Sequence, residues 1–171
     1  MFENVDESLE MINTAGIFIG KVQISNAIEA KINKQDDIVA LNQLFADEKF
    51  LHQTKISHNN QLVAELYDLN LTELTQQFEQ YKKITARIHY HIPIHQKHFK
   101  ETFLGASQTA IETTLNFIAN KLSYTPKLEI ETYTWLNFIE NSEQQTNQLH
   151  QGLQQEFLWL EQALLTRNLL T

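Results

Sequence analysis

Cysteine is absent from the 171 residues, which excludes disulfides, thiolate metal sites and a cysteine nucleophile. Glycine occurs only four times and never in a cluster, so no glycine-rich phosphate loop can form. No Gly-x-Ser-x-Gly elbow and no His-Glu-x-x-His motif occurs. No apolar run approaches the length that spans a membrane. Positive charge is scarce: 13 Lys and Arg stand against 21 Asp and Glu, a formal charge of −8. That balance disfavours nucleic-acid backbones and anionic membranes, whose binding needs a basic surface. The opening residues are acidic (Glu3, Asp6, Glu7, Glu10) and lack the basic start of a signal peptide. A hydrophobic content of 42% suits an ordinary core, and the length suits one domain. A soluble cytoplasmic protein is the expectation.

What is present is alternation. Leu128 to Trp135 reads as a strand with apolar residues on one side and Glu129, Glu131 and Tyr133 on the other. Ala86 to His95 has the same design, with Ile88, Tyr90, Ile92 and Ile94 opposed to Arg87, His89, His91 and His95. Gly20 to Ser25 is a shorter version. A long helical pattern follows each of the two strongest strands, which argues for parallel βα units. In a βα barrel the apolar side packs on outer helices and the other side faces the lumen. A complete eight-stranded barrel needs at least ~200 residues, so the expectation is either a smaller α/β layer structure or part of a barrel.

Along the chain, residues 6–15 form a short helix with Gly16 in place for a C-terminal cap. Ile17 to Ser25 is the first strand, and 26–34 reads as a short helix or turn. Asp36 can cap a helix from Asp37 to about Ala46. Residues 46–82 read as an insertion between βα units. Within it Lys49 to Gln53 is extended, Ser57 to Asn60 is a loop, and Leu62 to Asn70 is ambiguous. Asn70, with Glu73 three residues on, opens a helix to about Lys82. Strand Ile84–Ile94 precedes a helix from about Phe99 to Lys121. Strand Leu128–Thr134 precedes one from about Ser142 to Leu169, with Leu149, Leu153, Phe157, Leu160 and Leu164 as its apolar line.

Histidine is the conspicuous chemical resource. His89, His91, His95 and His98 crowd one segment, and imidazole with carboxylate suits zinc, manganese or iron. Lys21, Gln23, His89, His91, Glu129 and Glu131 share the lumen-facing parity. If the strands are parallel, Gln23, His91 and Glu131 fall near the end where barrel active sites lie. Plainer readings stand beside these. His89 can satisfy a lumen hydrogen bond, and Glu131 can pair with Arg87 or Lys21. Glu129 suits Arg87. His58, His95, His98 and His150 suit solvent. Tyr133 and Trp135 line a pocket or simply pack.

Six blocks taken together resemble a known family: Gly16-Ile17, Gly20-Lys21-Val22-Gln23-x-Ser25, Phe50-Leu51-His52-Gln53, Tyr67-Asp68-Leu69, Arg87 to Ile94, and Leu128 to Trp135. The family is that of the metabolite traffic protein EboE, a xylose-isomerase-like TIM barrel related to sugar isomerases and epimerases. The resemblance covers nearly the whole chain but only the C-terminal portion of such a barrel. It implies a partial TIM (β/α)8 barrel of about three parallel βα units, strands six to eight, with an insertion after the first. The whole of 1–171 would then be a single incomplete domain. The acidic-x-x-His strand usual just upstream is represented only by Phe2-Glu3.

Related barrels such as endonuclease IV hold metal through His, Asp and Glu at successive strand ends. By that analogy Glu131 matches a final-strand ligand, His52 a histidine of the insertion, and His91 a group facing substrate or metal. Gln23 stands where a strand-six histidine would be. The expected activity of the complete protein is isomerisation or epimerisation of a small sugar-like or polyol metabolite with a divalent metal. Glu131 would be ligand or base, His91 orienter or acid, and Lys21 an electrostatic stabiliser. This chain alone is expected to be inactive. The alternatives are a noncatalytic half-barrel that assembles with an N-terminal half-barrel chain, or a metal-dependent phosphoesterase of the endonuclease IV type.

Overall fold

The computed structural model describes residues 4–45, 51–131 and 145–170. The expected strand end Thr132 to Thr134, with Tyr133 and the adjacent Trp135, lies outside the described residues, as does Phe2-Glu3. The described chain is α/β and divides into two compact units. One holds Ala27–Tyr90 and Lys97–Ser107; the other holds the described parts of 3–26 and 108–171 together with His91–Gln96.

The second unit contains α1 (Val5–Thr14), β1 (Lys21–Ile24), α4 (Gln108–Lys121), β7 (Lys127–Ile130) and α5 (Gln145–Leu165). Helix α1 begins at Asn4, whose side chain accepts from the Asp6 and Glu7 amides. It ends as the sequence predicts, with Gly16 at φ +70°, Gly16 N–H donating to Asn13 O and Ile17 N–H to Ile12 O. Strands β1 and β7 are parallel, Lys21 opposite Lys127 and Ile24 opposite Ile130. Alternation sends Ile24 into a core with Ile111, Leu115, Ile118, Leu160 and Leu164, against which Val22, Leu128 and Ile130 pack. Fully burying each such side chain contributes about 1.5–3 kcal/mol. Helix α4 packs on both α1 and α5. Helices thus lie on the apolar side of the parallel pair, and polar residues on its other side.

The first unit is a different structure. It contains β2 (Asn26–Ile32, whose first residue belongs to the other unit), α2 (Gln35–Phe45), β3 (Thr54–His58), β4 (Gln61–Leu66), α3 (Leu71–Tyr81), β5 (Ile84–Ile92, whose last two residues, His91 and Ile92, belong to the other unit) and β6 (Leu104–Ala106). Its sheet has the order β4-β3-β5-β2-β6. β3 is antiparallel to β4 and β5, and β2 to β6. The β-α-β-β-α-β succession makes two crossovers, each passing over one strand of the sheet. Ile28, Ala30, Ile32, Ile56, Ala86 and Ile88 are fully buried on one face, and α2 packs on α3.

These observations correct several expectations. Among the described residues no closed barrel exists, and only two of the three expected strands are parallel neighbours. The strand through His89 belongs instead to the antiparallel sheet, because its alternation suits a one-sided sheet as well as a barrel wall. Residues 26–32 are a strand, with Asn26, Ile28, Ala30 and Ile32 all inward. Asp36 does not cap α2, which begins at Gln35; from inside the first turn Asp37 reaches back and accepts from the Asn33 and Lys34 amides at 2.9 and 3.1 Å. Helix α4 starts at Gln108, since β6 occupies part of the segment read as helix. The Asn70 cap holds, with Glu73 N–H donating to Oδ1 at 3.0 Å.

Candidate functional site

In the parallel pair, Lys21 and Gln23 stand on the same face as Lys127 and Glu129, and Gln23 lies opposite Glu129 in register. Lys21 and Gln23 are exposed. Glu129 does not reach Arg87. It takes Lys127 Nζ at 2.8 Å and Lys21 Nζ at 2.9 Å. Those hydrogen bonds, Lys127 first, hold its carboxyl below the usual carboxylate range, and the same bond raises the Lys127 ammonium. Arg87 pairs with Glu29 at 2.7 Å in the other unit.

Glu131 follows β7 directly, anchored by its N–H donating to Ile24 O at 3.0 Å. Its carboxylate is 3.6 Å from His91 Nδ1. His91 is 4% exposed, so an imidazole and a carboxylate meet at the edge of a buried site. Their separation suits an ion pair when the ring is protonated, and a shared proton carrier if a small group enters between them. Of the expected site residues, the fold thus brings His91 to Glu131 and places Lys21 and Gln23 on the polar face of β1.

His52 lies in the other unit. Its ring is buried and meets Tyr90 edge-on at 4.9 Å, while its backbone N–H donates to Asp68 Oδ1 at 2.7 Å. His89 is exposed rather than lumen-facing, because the strand carrying it has one wet face. His98 and His150 are exposed, as expected. Among the described residues no three His, Asp or Glu side chains stand close enough to share a metal ion.

The residues that fix His91 were missed by periodicity. Segment 93–96, just after it, is held by three buried polar side chains. Glu156 accepts from Ile94 N–H at 2.9 Å, and Gln108 donates to Ile94 O at 2.8 Å. Asn26 donates to Pro93 O at 3.2 Å and Gln96 O at 2.8 Å. They do for this segment what a neighbouring strand would, which explains why amide and carboxylate groups are tolerated at 0–4% exposure. Glu156 sits inward where Phe157 was expected, and Phe157 is 61% exposed. A signal was available: Gly152, Glu156, Leu160 and Leu164 form a strict four-residue step, broken in polarity only by Glu156.

No family model matches this sequence, and no curated protein or solved structure is significantly similar to it.

Proposed function

We propose that the unit built from α1, β1, α4, β7 and α5 represents two neighbouring βα units of a sugar isomerase- or epimerase-type barrel of the EboE kind. The observation that carries this reading is the parallel pairing of β1 and β7, with helices on the apolar side and Glu131 facing His91 at the strand end. Two strands cannot close a barrel, so the complete site needs further strands from a longer chain or a partner. The substrate class is a small sugar-like or polyol metabolite.

Glu131 is placed as the base and His91 as the group that orients and shares its proton. Lys21 is committed to Glu129 and acts through that pair rather than on substrate. A catalytic divalent metal takes three protein ligands or so. Glu131 and His91 supply two, and the Gln23 amide is a weak third, so these residues do not by themselves fit a zinc, manganese or iron site. No chemical step here runs through a metal.

The test is NMR of the His91 ring in the purified chain, titrated with aldoses, ketoses and polyols. The expected result is a saturable shift at His91, lost in Glu131→Gln, with no turnover of any of these compounds. Turnover by this chain alone would refute the need for completing strands, and silence at His91 across the panel would refute the substrate class. A noncatalytic half-barrel that pairs with another chain is favoured by one observation: no further described strand joins the β1–β7 sheet. A concentration-independent monomer by light scattering would count against that reading.

A further inference from the structure

At one end of the antiparallel sheet, β3 turns into β4 through Asn59 and Asn60, at φ 49° and 63°. His58 pairs with Gln61, so this is a two-residue hairpin of the type I′ kind, which asparagine tolerates. Below the turn the ladder shifts: Ile56 faces Ala64 but Ser57 faces Leu62, leaving Val63 as an extra residue. Such bulges re-aim the side chains beside them. His58 ties the turn down. Its Nδ1 donates to Lys83 O at 2.8 Å, which makes Nε2 the acceptor for Asn59 Nδ2 at 2.9 Å.

A cavity of about 340 Å³ opens between this turn and the start of β5. Lys31, Asn33, Ser57, Asn60, Lys83 and Thr85 contribute its polar wall, over Ile84, and no acidic side chain lines it. Among the described residues neither the Lys31 nor the Lys83 ammonium has a carboxylate within 4 Å. Lys21, Lys34, Lys55, Lys121 and Lys127 have one, whereas Lys82, Lys97 and Lys100, which are exposed and outside the cavity, have none among the described residues. Ser57 is 2% exposed and lines the cavity. A concave site with two unneutralised ammonium groups, amide and hydroxyl donors and no acid runs against a chain of net charge −8.

We infer that this cavity binds a phosphate group, free or as the monoester of a small metabolite. A phosphate monoester carries nearly two negative charges and three acceptor oxygens at neutral pH. That matches two lysines with hydroxyl and amide donors, whereas a carboxylate uses one charge and two oxygens. A nucleic-acid backbone is a poor fit, since the chain as a whole carries a formal charge of −8. The inference is independent of the isomerase reading, which concerns other residues.

Isothermal titration of the full chain at low salt with inorganic phosphate, glycerol phosphate and acetate tests it. Phosphate binds at one site and acetate at least tenfold more weakly. Lys31→Gln and Lys83→Gln each lower phosphate affinity about tenfold, the loss of one charge-assisted hydrogen bond. Ser57→Ala weakens binding without lowering the melting temperature, which a purely structural serine would not do. Lys100→Gln, an exposed lysine outside the cavity, binds as the parent does. Tighter binding of glycerol phosphate identifies a monoester as the ligand, and equal or weaker binding identifies the free ion. No phosphate binding, equal affinity for acetate, or unchanged affinity in both lysine variants overturns the assignment.

Discussion

At the scale of single residues, the most informative side chain is Glu156. Its carboxylate is 1% exposed and holds Ile94 N–H in the segment that carries His91. Removing it leaves a buried amide without its acceptor, which costs about 1–3 kcal/mol beyond lost packing. Glu156→Ala is therefore expected to lower the urea midpoint clearly and to move the His91 ring resonances. Glu156→Gln keeps an acceptor oxygen and should do much less of both. If the two variants were equally destabilised, the carboxylate would be acting through something other than Ile94. Periodicity could not announce this residue, because a glutamate in a glutamine-rich helix reads as solvated until a backbone group is found opposite it.

At the scale of elements, β1 and β7 are joined on their polar face by Glu129 between Lys21 and Lys127. Because the folded carboxyl titrates below its ordinary value, its contribution is full above the unfolded value of about 4.3. It is lost as pH falls through the lower folded value. Lys127 is the mirror case: its contribution is full below its ordinary value and is lost as pH rises through the raised one. These groups are exposed, so the effect is small and screened by salt. Urea midpoints from pH 3 to 7 should show the parent above Glu129→Gln at pH 6, the gap closing toward pH 3. A gap that stays constant would mean that the charge pair is not its source. The elements themselves were readable where local chemistry is decisive. The Gly16 cap, the Asn70 cap, the parity of β1 and β7 and that of β5 as far as His89 follow from spacing, whereas His91 and Ile92 are both buried. β2 and β6 were not readable, because Ala27, Ile28 and Ile32 satisfy helical spacing as well as alternation, and β6 is only three residues long.

At the scale of the whole molecule, charge and topology set the limits. With a formal charge of −8, duplex DNA should not bind even at about 50 mM salt, where phosphate contacts are strong. Gel retardation of a duplex by the purified chain would reopen the phosphoesterase alternative. Among the described residues no helix is long and apolar enough to cross a membrane. Composition, caps and side-chain parity were determined by the sequence itself, since each depends on residues a few positions apart. Which strands become neighbours depends on contacts between distant residues. Ile88 and Ile130 alternate alike, yet one strand lies in an antiparallel sheet and the other beside β1. Only tertiary packing decided that, and with it that His91 meets Glu131 while His52 is buried in another unit.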